Sequence, residues 1–342
     1  MKDTTQYIAE WELDGSILLA LPHEDTDWNY ILPDAIDQYK KILSALEAGG
    51  EKIILIVRDK AEAERLLHDV SLENTRFVEV PTNDTWTRDY GPITVRRHNR
   101  IRALDFAFNG WGLKFAADKD NLVNMRMAET GIYPAGMRRN CLDFVLEGGS
   151  IETDGRGTIL TTTRCLLSPN RNGGGTKAEI GEELTHRLGA DHILWLDYGA
   201  LLGDDTDSHI DTLCRMAPDN IILFTGCRDI DDPQFEELLA MRAQLSMFRN
   251  ASGDPFNLVE LPLPDPIYDI DGTRLPATYA NYLVTPRAVY MPVYQQPDKD
   301  QLACQTIRIA FPDLKVIPVD CTVLIRQHGS LHCSTMTILP KI

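Results

Sequence analysis

The sequence predicts an α/β fold in which a strand-strand-helix-strand unit is repeated about an axis, and three observations predict it. Amphipathic helices begin near residues 121, 176, 233 and 298, at almost even spacing. Short aliphatic and β-branched runs of strand length lie between them. Two of those runs, 282–285 and 288–293, flank Pro286 closely enough to form a hairpin, whereas a doubly wound parallel sheet would need a crossover there.

The first helix is read from Ile36, Tyr39, Leu43 and Leu46, which share one face and stop before Gly49-Gly50. Asn121 to Thr130 is the second. Ile180, Leu184 and Leu188 define the third, where Thr176 and Glu179 have capping-box spacing. Asp232-Pro233 opens a fourth carrying Phe235, Leu238, Leu239 and Leu245, and Asp298 a fifth carrying Leu302 and Ile307. Strands are expected at 52–57, 76–80, 93–97, 158–163, 221–225, 282–285, 288–293 and 314–319. No low-complexity linker divides the chain. The irregular stretches around Asn170-Arg171-Asn172-Gly173-Gly174-Gly175 and from Asp265 to Pro276 are long enough for site loops and too short to separate domains.

The 342 residues are 43% hydrophobic, enough for a substantial core. With 34 Lys and Arg against 51 Asp and Glu, the net charge of −17 repels nucleic acid and anionic lipid and attracts small cations. Met1 to Gly15 has no continuous apolar segment, and no later run approaches the ~18 apolar residues of a membrane span. The seven cysteines include no C-x-x-C pair, which fits a reducing cytoplasm. Most, such as Cys165 in Arg164-Cys165-Leu166-Leu167, sit where cysteine acts as a small core residue.

Chemistry is concentrated in four segments. Asp89 follows Trp86 and Arg88 in a turn-like stretch ending Gly91-Pro92, as a functional carboxylate or a capping aspartate. Glu147 precedes Gly148-Gly149, whose sharp backbone turn can bring a carboxylate close to a ligand, although such pairs also occur in ordinary turns. In an extended segment, His209 and Asp211 would point into one cavity with Ile210 behind them; a surface histidine and a metal site completed by His332 are the alternatives. Metal is the poorer choice, since no zincin spacing is present and many aspartates beside a thiol suit no single ion. His332 and Cys333 would fall on opposite faces of a strand, leaving His209 as the base that could serve Cys333.

Together these segments resemble a known family, the agmatine deiminases and bacterial-type peptidylarginine deiminases of the guanidine-modifying superfamily. The resemblance rests on Ala9-Glu10-Trp11-Glu12, Leu19-Ala20-Leu21-Pro22-His23, Asp84-Thr85-Trp86-Thr87-Arg88-Asp89 and Phe108-Asn109-Gly110-Trp111-Gly112-Leu113-Lys114. It continues through Glu147-Gly148-Gly149-Ser150-Ile151-Glu152, Asp205-Thr206-Asp207-Ser208-His209-Ile210-Asp211 and Gly329-Ser330-Leu331-His332-Cys333. It implies a five-bladed α/β propeller (pentein) of pseudo-fivefold ββαβ-type repeats, with residues 1–342 as one catalytic domain and the active site on the central axis. It makes Cys333 the nucleophile, His209 the general acid/base, Asp89 and Asp211 the guanidinium clamps, and Glu147 the carboxylate that holds His209.

A planar guanidinium suits two carboxylates in bidentate geometry, so the implied chemistry requires no cofactor and no metal. Agmatine is the expected substrate, with arginine or peptidylarginine as the alternative and an amidinotransferase or a non-catalytic propeller as more distant ones. Trp86, Trp111 and Gly148 are expected against the substrate. Arg88 would either bind a substrate carboxylate or support the loop carrying Asp89. Two departures from the family pattern, Leu21 for a tryptophan and the lead-in His328-Gly329-Ser330-Leu331, bear on the pocket, and Gly173-Gly174-Gly175 suggests a mobile lid. A homodimer in the cytoplasm, binding neither nucleic acid nor membrane, completes the expectation.

Overall fold

The computed structural model describes residues 5–339, so the first four and last three residues of the expected 1–342 domain lie outside the described residues. Its strands form five sheets, and one connectivity recurs in all of them: an antiparallel pair, a helix, then a strand parallel to the second member. In the first, β17 (Met336–Ile338) pairs antiparallel with β2 (Ser16–Ala20), the helix Leu32–Ala48 follows, and β3 (Lys52–Val57) runs parallel beside β2, with β4 (Thr75–Glu79) added outside. In the second, β5 (Ile93–Arg97) and β6 (Arg100–Ala107) form the pair, Val123–Glu129 the helix and β7 (Arg138–Val145) the parallel strand; β1 (Thr5–Tyr7) borders β5.

The remaining three are simpler. β8 (Ile151–Thr153) and β9 (Thr158–Thr162) lead through helix Lys177–Leu188 to β10 (His192–Leu196). β11 (Cys214–Ala217) and β12 (Ile221–Gly226) lead through Phe235–Met247 to β13 (Asn257–Pro262). β14 (Leu283–Val284) and β15 (Ala288–Val293) lead through Pro297–Ala310 to β16 (Lys315–Asp320). The hairpin expected around Pro286 is the β14–β15 pair.

Local chemistry explains the elements. Along β3, Ile53 to Val57 are buried without a polar interruption, as a strand covered on both faces requires. The helix Leu32–Ala48 buries Ile36, Tyr39, Ile42, Leu43 and Leu46 on one stripe. For Lys177–Leu188 both halves of the Thr176–Glu179 capping box are formed, and Gly189 ends the helix at a left-handed φ of 74°. Among the described residues no helix is long and apolar enough to cross a membrane.

The repeat also organises the loops. Besides the short link from β1 to β2, five connections carry the chain from one sheet to the next: β4 to β5, β7 to β8, β10 to β11, β13 to β14 and β16 to β17. All five meet at one place.

Candidate active site

Each of these connections contributes a buried polar side chain: Asp89, Glu147, His209 with Asp211, Asn281, and His332 with Cys333. Asp89 sits on a single helical turn, Thr87–Tyr90, tied to the last connection because the Arg88 amide donates to the Cys333 carbonyl at 3.2 Å. The expected extended segment at 209–211 is instead a turn. Asp207 and Ser208 have φ of 67° and 65°, and Ile210–Thr212 is a 3-10 turn. Alternation along a strand therefore does not explain the proximity of His209 and Asp211. Nor do His332 and Cys333 lie on a strand; they occupy a turn immediately before β17.

Cys333 is 5% exposed and is held by Asn281, whose Oδ1 accepts from the Cys333 amide at 3.1 Å while Nδ2 lies 3.1 Å from Sγ. Its Sγ is 3.8 Å from Asp211 Oδ2. The same Asp211 oxygen is 2.7 Å from His332 Nδ1, and His332 Nε2 faces Glu10 at 3.1 Å. Asp89 accepts from Trp111 Nε1 at 2.9 Å and from the Gly149 amide at 3.0 Å, and its Oδ1 is 3.6 Å from His209 Nδ1. Trp111 itself holds a left-handed φ of 55°, a strained conformation for a bulky residue, sustained by this bond and by edge contacts with Phe108 and Phe115.

Glu147 and Gly148 are placed otherwise than expected, and of the two alternatives for Arg88 the loop-supporting one fits the geometry. Glu147 makes no hydrogen bond to His209; both its oxygens accept from Arg171 Nε, at 2.8 and 3.0 Å. Arg171, fully buried, also reaches Asp207 at 2.5 Å and the Thr206 carbonyl at 3.1 Å, so it joins the second and third site connections. Arg88 is paired with Glu10 at 2.6 Å and donates to the His332 carbonyl, away from the cleft that holds Cys333, because a buried guanidinium needs a carboxylate and finds Glu10. Gly148 packs on the Arg88 backbone. Gly149 is the glycine at the site, where an added Cβ would lie 2.7 Å from His209 Nδ1 and 2.9 Å from Asp89 Oδ1.

Arg171 and Asn281 were missed by sequence reasoning. Arg171 lay in a loop already suspected, and its signal was an arginine between two turn-forming asparagines. Asn281 had only the weak signal of a polar amide within the run Tyr279-Ala280-Asn281-Tyr282.

A narrow cleft opens onto Cys333 and Asp89, with Trp86, Trp111, Phe115 and Thr212 among its walls. Asp27, Asp84 and Asp205 also line it, together with His328, and no Lys or Arg does among the described residues. Burial pushes the Cys333 thiol well above its ordinary value, and the charges of Asp211 and Asp89 push the same way. Burial also lifts Asp89 to about 6, against the pull of His209. Burial alone would lower His209, but Asp89, Cys165 and Glu147 outweigh it and hold its imidazolium well above the usual range. Asp211 is the opposite case: burial would raise it, yet the His332 hydrogen bond and the charges of His332, His209 and Arg215 keep it low. The result is a thiol held toward its protonated form among buried acids.

The chain matches the Porphyromonas-type peptidyl-arginine deiminase family over residues 6–338. Among solved structures it is similar to a "putative arginine deiminase" from Porphyromonas gingivalis, at 41% identity over 98% of each chain with a TM-score of 0.91. It is also similar to a cysteine-to-serine variant of C. jejuni agmatine deiminase with substrate bound, at 36% identity over 99% of this chain and 97% of that one, with a TM-score of 0.89. Among curated proteins, a "putative agmatine deiminase" of Mycoplasma mycoides subsp. mycoides is 30% identical over 98% of this chain and 95% of its own length.

Proposed function

We propose, from the premise that the chain belongs to the Porphyromonas-type peptidyl-arginine deiminase family, that it is a cysteine-dependent hydrolase converting agmatine to N-carbamoylputrescine and ammonia. The observation that carries this reading is the meeting of Cys333 Sγ with Asp211, 3.8 Å apart, in the cleft that Asp89 also lines. Five sheets of one connectivity, each sending a connection to the site, support reading residues 1–342 as a single five-bladed propeller with the site on its axis.

In this mechanism Asp89 and Asp211 grip the guanidinium in its plane, so that its carbon faces the sulfur. Arrival of that cation between the two carboxylates offsets the part of the thiol's upward shift that comes from their charges, so that the S–H proton leaves to solvent and the substrate helps to activate its own nucleophile. The thiolate adds to the guanidinium carbon, and the tetrahedral adduct expels ammonia as His209 supplies a proton to the departing nitrogen. His209 then takes a proton from water, which adds to the thiouronium carbon, and collapse releases the ureido product and the thiol. Arg171 holds Glu147 beside His209, where its charge favours the protonated imidazole needed for the first step.

The cleft lining supports agmatine over arginine. A distal ammonium would meet Asp27, Asp84 and Asp205, whereas a substrate carboxylate would find no arginine or lysine there and Arg88 already paired with Glu10. Solved relatives described as agmatine deiminases point the same way. The test is ammonia release from agmatine with no added amine, beside arginine and a peptidyl arginine and with a chelator present. Ammonia from agmatine at a kcat/KM at least about a hundredfold above arginine, a difference of ~2.7 kcal/mol, is expected. A requirement for an acceptor amine, or preference for arginine, would overturn the reading.

A further inference from the structure

Beneath the cleft lies a thiol that the proposed reaction does not use. Cys165 is in the helical turn Thr163–Leu166 that follows β9, held there by the Thr162 side chain accepting from its amide. Cys165, Glu147 and His209 are all fully buried, and one donor atom from each lies within 4.8 Å of the others. Neither ring nitrogen of His209 has a hydrogen bond of good geometry, and the side chain it interacts with most directly here besides Asp89 is Cys165. A sulfur, a nitrogen and a carboxylate oxygen are the donors that zinc-like ions select, at ~2.0 to 2.3 Å from the metal.

Charge favours a cation at this point. Asp89 Oδ1 lies 3.6 Å from His209 Nδ1 and could add a fourth donor, a second oxygen. Arg171 opposes it from the other side of Glu147, but its two bonds leave each carboxylate oxygen a free lone pair. Cys333 is held elsewhere, by Asn281 on the Asp211 side.

We propose that Glu147, Cys165 and His209 form a binding site for a borderline-soft divalent cation of the zinc class, whose occupancy shuts the site off. As the metal-sulfur and metal-nitrogen bonds form, the Cys165 S–H proton and the second imidazole proton leave to solvent, with no change of oxidation state. A metal on either ring nitrogen keeps the imidazole from cycling between its protonated and neutral forms. Only this inhibitory consequence rests on the proposed role of His209; binding itself does not.

The experiment uses the full chain carrying Cys333→Ala, titrated with Co²⁺. One equivalent should produce a thiolate-to-cobalt charge-transfer band with visible bands of a four-coordinate ion. Both should vanish in Cys333→Ala/Cys165→Ser and in Cys333→Ala/His209→Gln, each compared at matched far-UV circular dichroism; if one double variant fails to fold, the other decides. In the protein with Cys333 intact, Zn²⁺ should inhibit turnover reversibly with EDTA, and Cys165→Ser should be at least about tenfold less sensitive relative to its own metal-free rate. Absence of the band in Cys333→Ala, its survival without Cys165, or equal zinc sensitivity with and without Cys165 would overturn the proposal. Failure of agmatine turnover alone would leave the cobalt result standing and count only against the function proposed above.

Discussion

His332 Nδ1 lies 2.7 Å from Asp211 Oδ2, and this contact leaves the other oxygen of that carboxylate, Oδ1, buried and without a hydrogen-bond partner. A buried acceptor left open beside a thiol is expensive unless a ligand completes it. His332 therefore acts as a positioning residue from the position next to Cys333. His332→Ala is expected to cut kcat/KM for agmatine by about ten- to a hundredfold, as loss of one charge-assisted hydrogen bond of ~1.5–3 kcal/mol implies. His332→Asn, which can still donate, should recover part of it; steady-state kinetics of the two variants with matched thermal melts checks this.

The two adjacent glycines should separate chemistry from folding. In Gly149→Ala the new methyl would crowd His209 Nδ1, Asp89 Oδ1 and, at 3.1 Å, Asp211 Oδ2, all side-chain ends, so the protein should fold and lose turnover by more than about a hundredfold. In Gly148→Ala the methyl would collide with the Arg88 carbonyl, which cannot rotate away, and soluble yield or melting temperature should fall first. A Gly149→Ala protein with normal kinetics would show that the site is roomier than described.

Arg171 is the buried cation that links Glu147 to Asp207. Removing one partner of a buried pair strands the other, so Arg171→Ala is expected to cost ~3–5 kcal/mol by urea unfolding. Arg171→Lys keeps the charge but not the fork that serves Glu147, Asp207 and the Thr206 carbonyl together, and should recover less than half of that loss.

Acids near the site predict a pH dependence of stability. Burial is the leading cause lifting Asp84 to about 7, Asp89 to about 6 and Asp120 to about 8, against ~3.9 in an unfolded chain. Between those values the folded state holds protons that the unfolded state has lost. Their contribution is therefore complete below about pH 4 and disappears as pH rises through 6 to 8. Asp211 and Glu10, held low, act in the other direction and lose their contribution only in acid. Melting temperature should fall by a few degrees from pH 6 to pH 9, and Asp120→Asn should flatten that slope. Calorimetry at three pH values decides it, and an unchanged slope would remove Asp120 from the account.

Cys333 offers a kinetic readout of its surroundings. Because burial, Asp211 and Asp89 hold the thiol protonated, its alkylation by iodoacetamide should still be accelerating above pH 9 in the free protein. An unreactive guanidine analogue that leaves Sγ open should shift the midpoint downward, and an unchanged midpoint would count against activation by the substrate cation.

Much of this architecture is written in local pattern. Lys52–Val57, Ile93–Arg97 and Ala288–Val293 have the bounds expected at 52–57, 93–97 and 288–293, and the Thr176–Glu179 spacing marks a helix start that the capping bonds then form. Cys214–Ala217 and Met336–Ile338 escaped notice because such short strands are defined by their partners more than by their own composition. At the site, the ordered motifs identified which carboxylates and which thiol to examine, but not how they meet. The left-handed residues Asp207 and Ser208 turned an expected strand into a hook, and no side-chain periodicity encodes that. Which carboxylate Arg88 prefers, and that Asn281 bonds Cys333, are decided by contacts across the whole chain.

The pairing of β17 with β2 has one more consequence. Strand β17 begins three residues after Cys333 and docks on a partner from the opposite end of the sequence, among the slowest kinds of contact for a chain to find. Until that seam zips, the sulfur and Asp211 remain apart. Incompletely folded molecules are thus expected to be chemically silent, and the appearance of activity during refolding would time the formation of this terminal pairing.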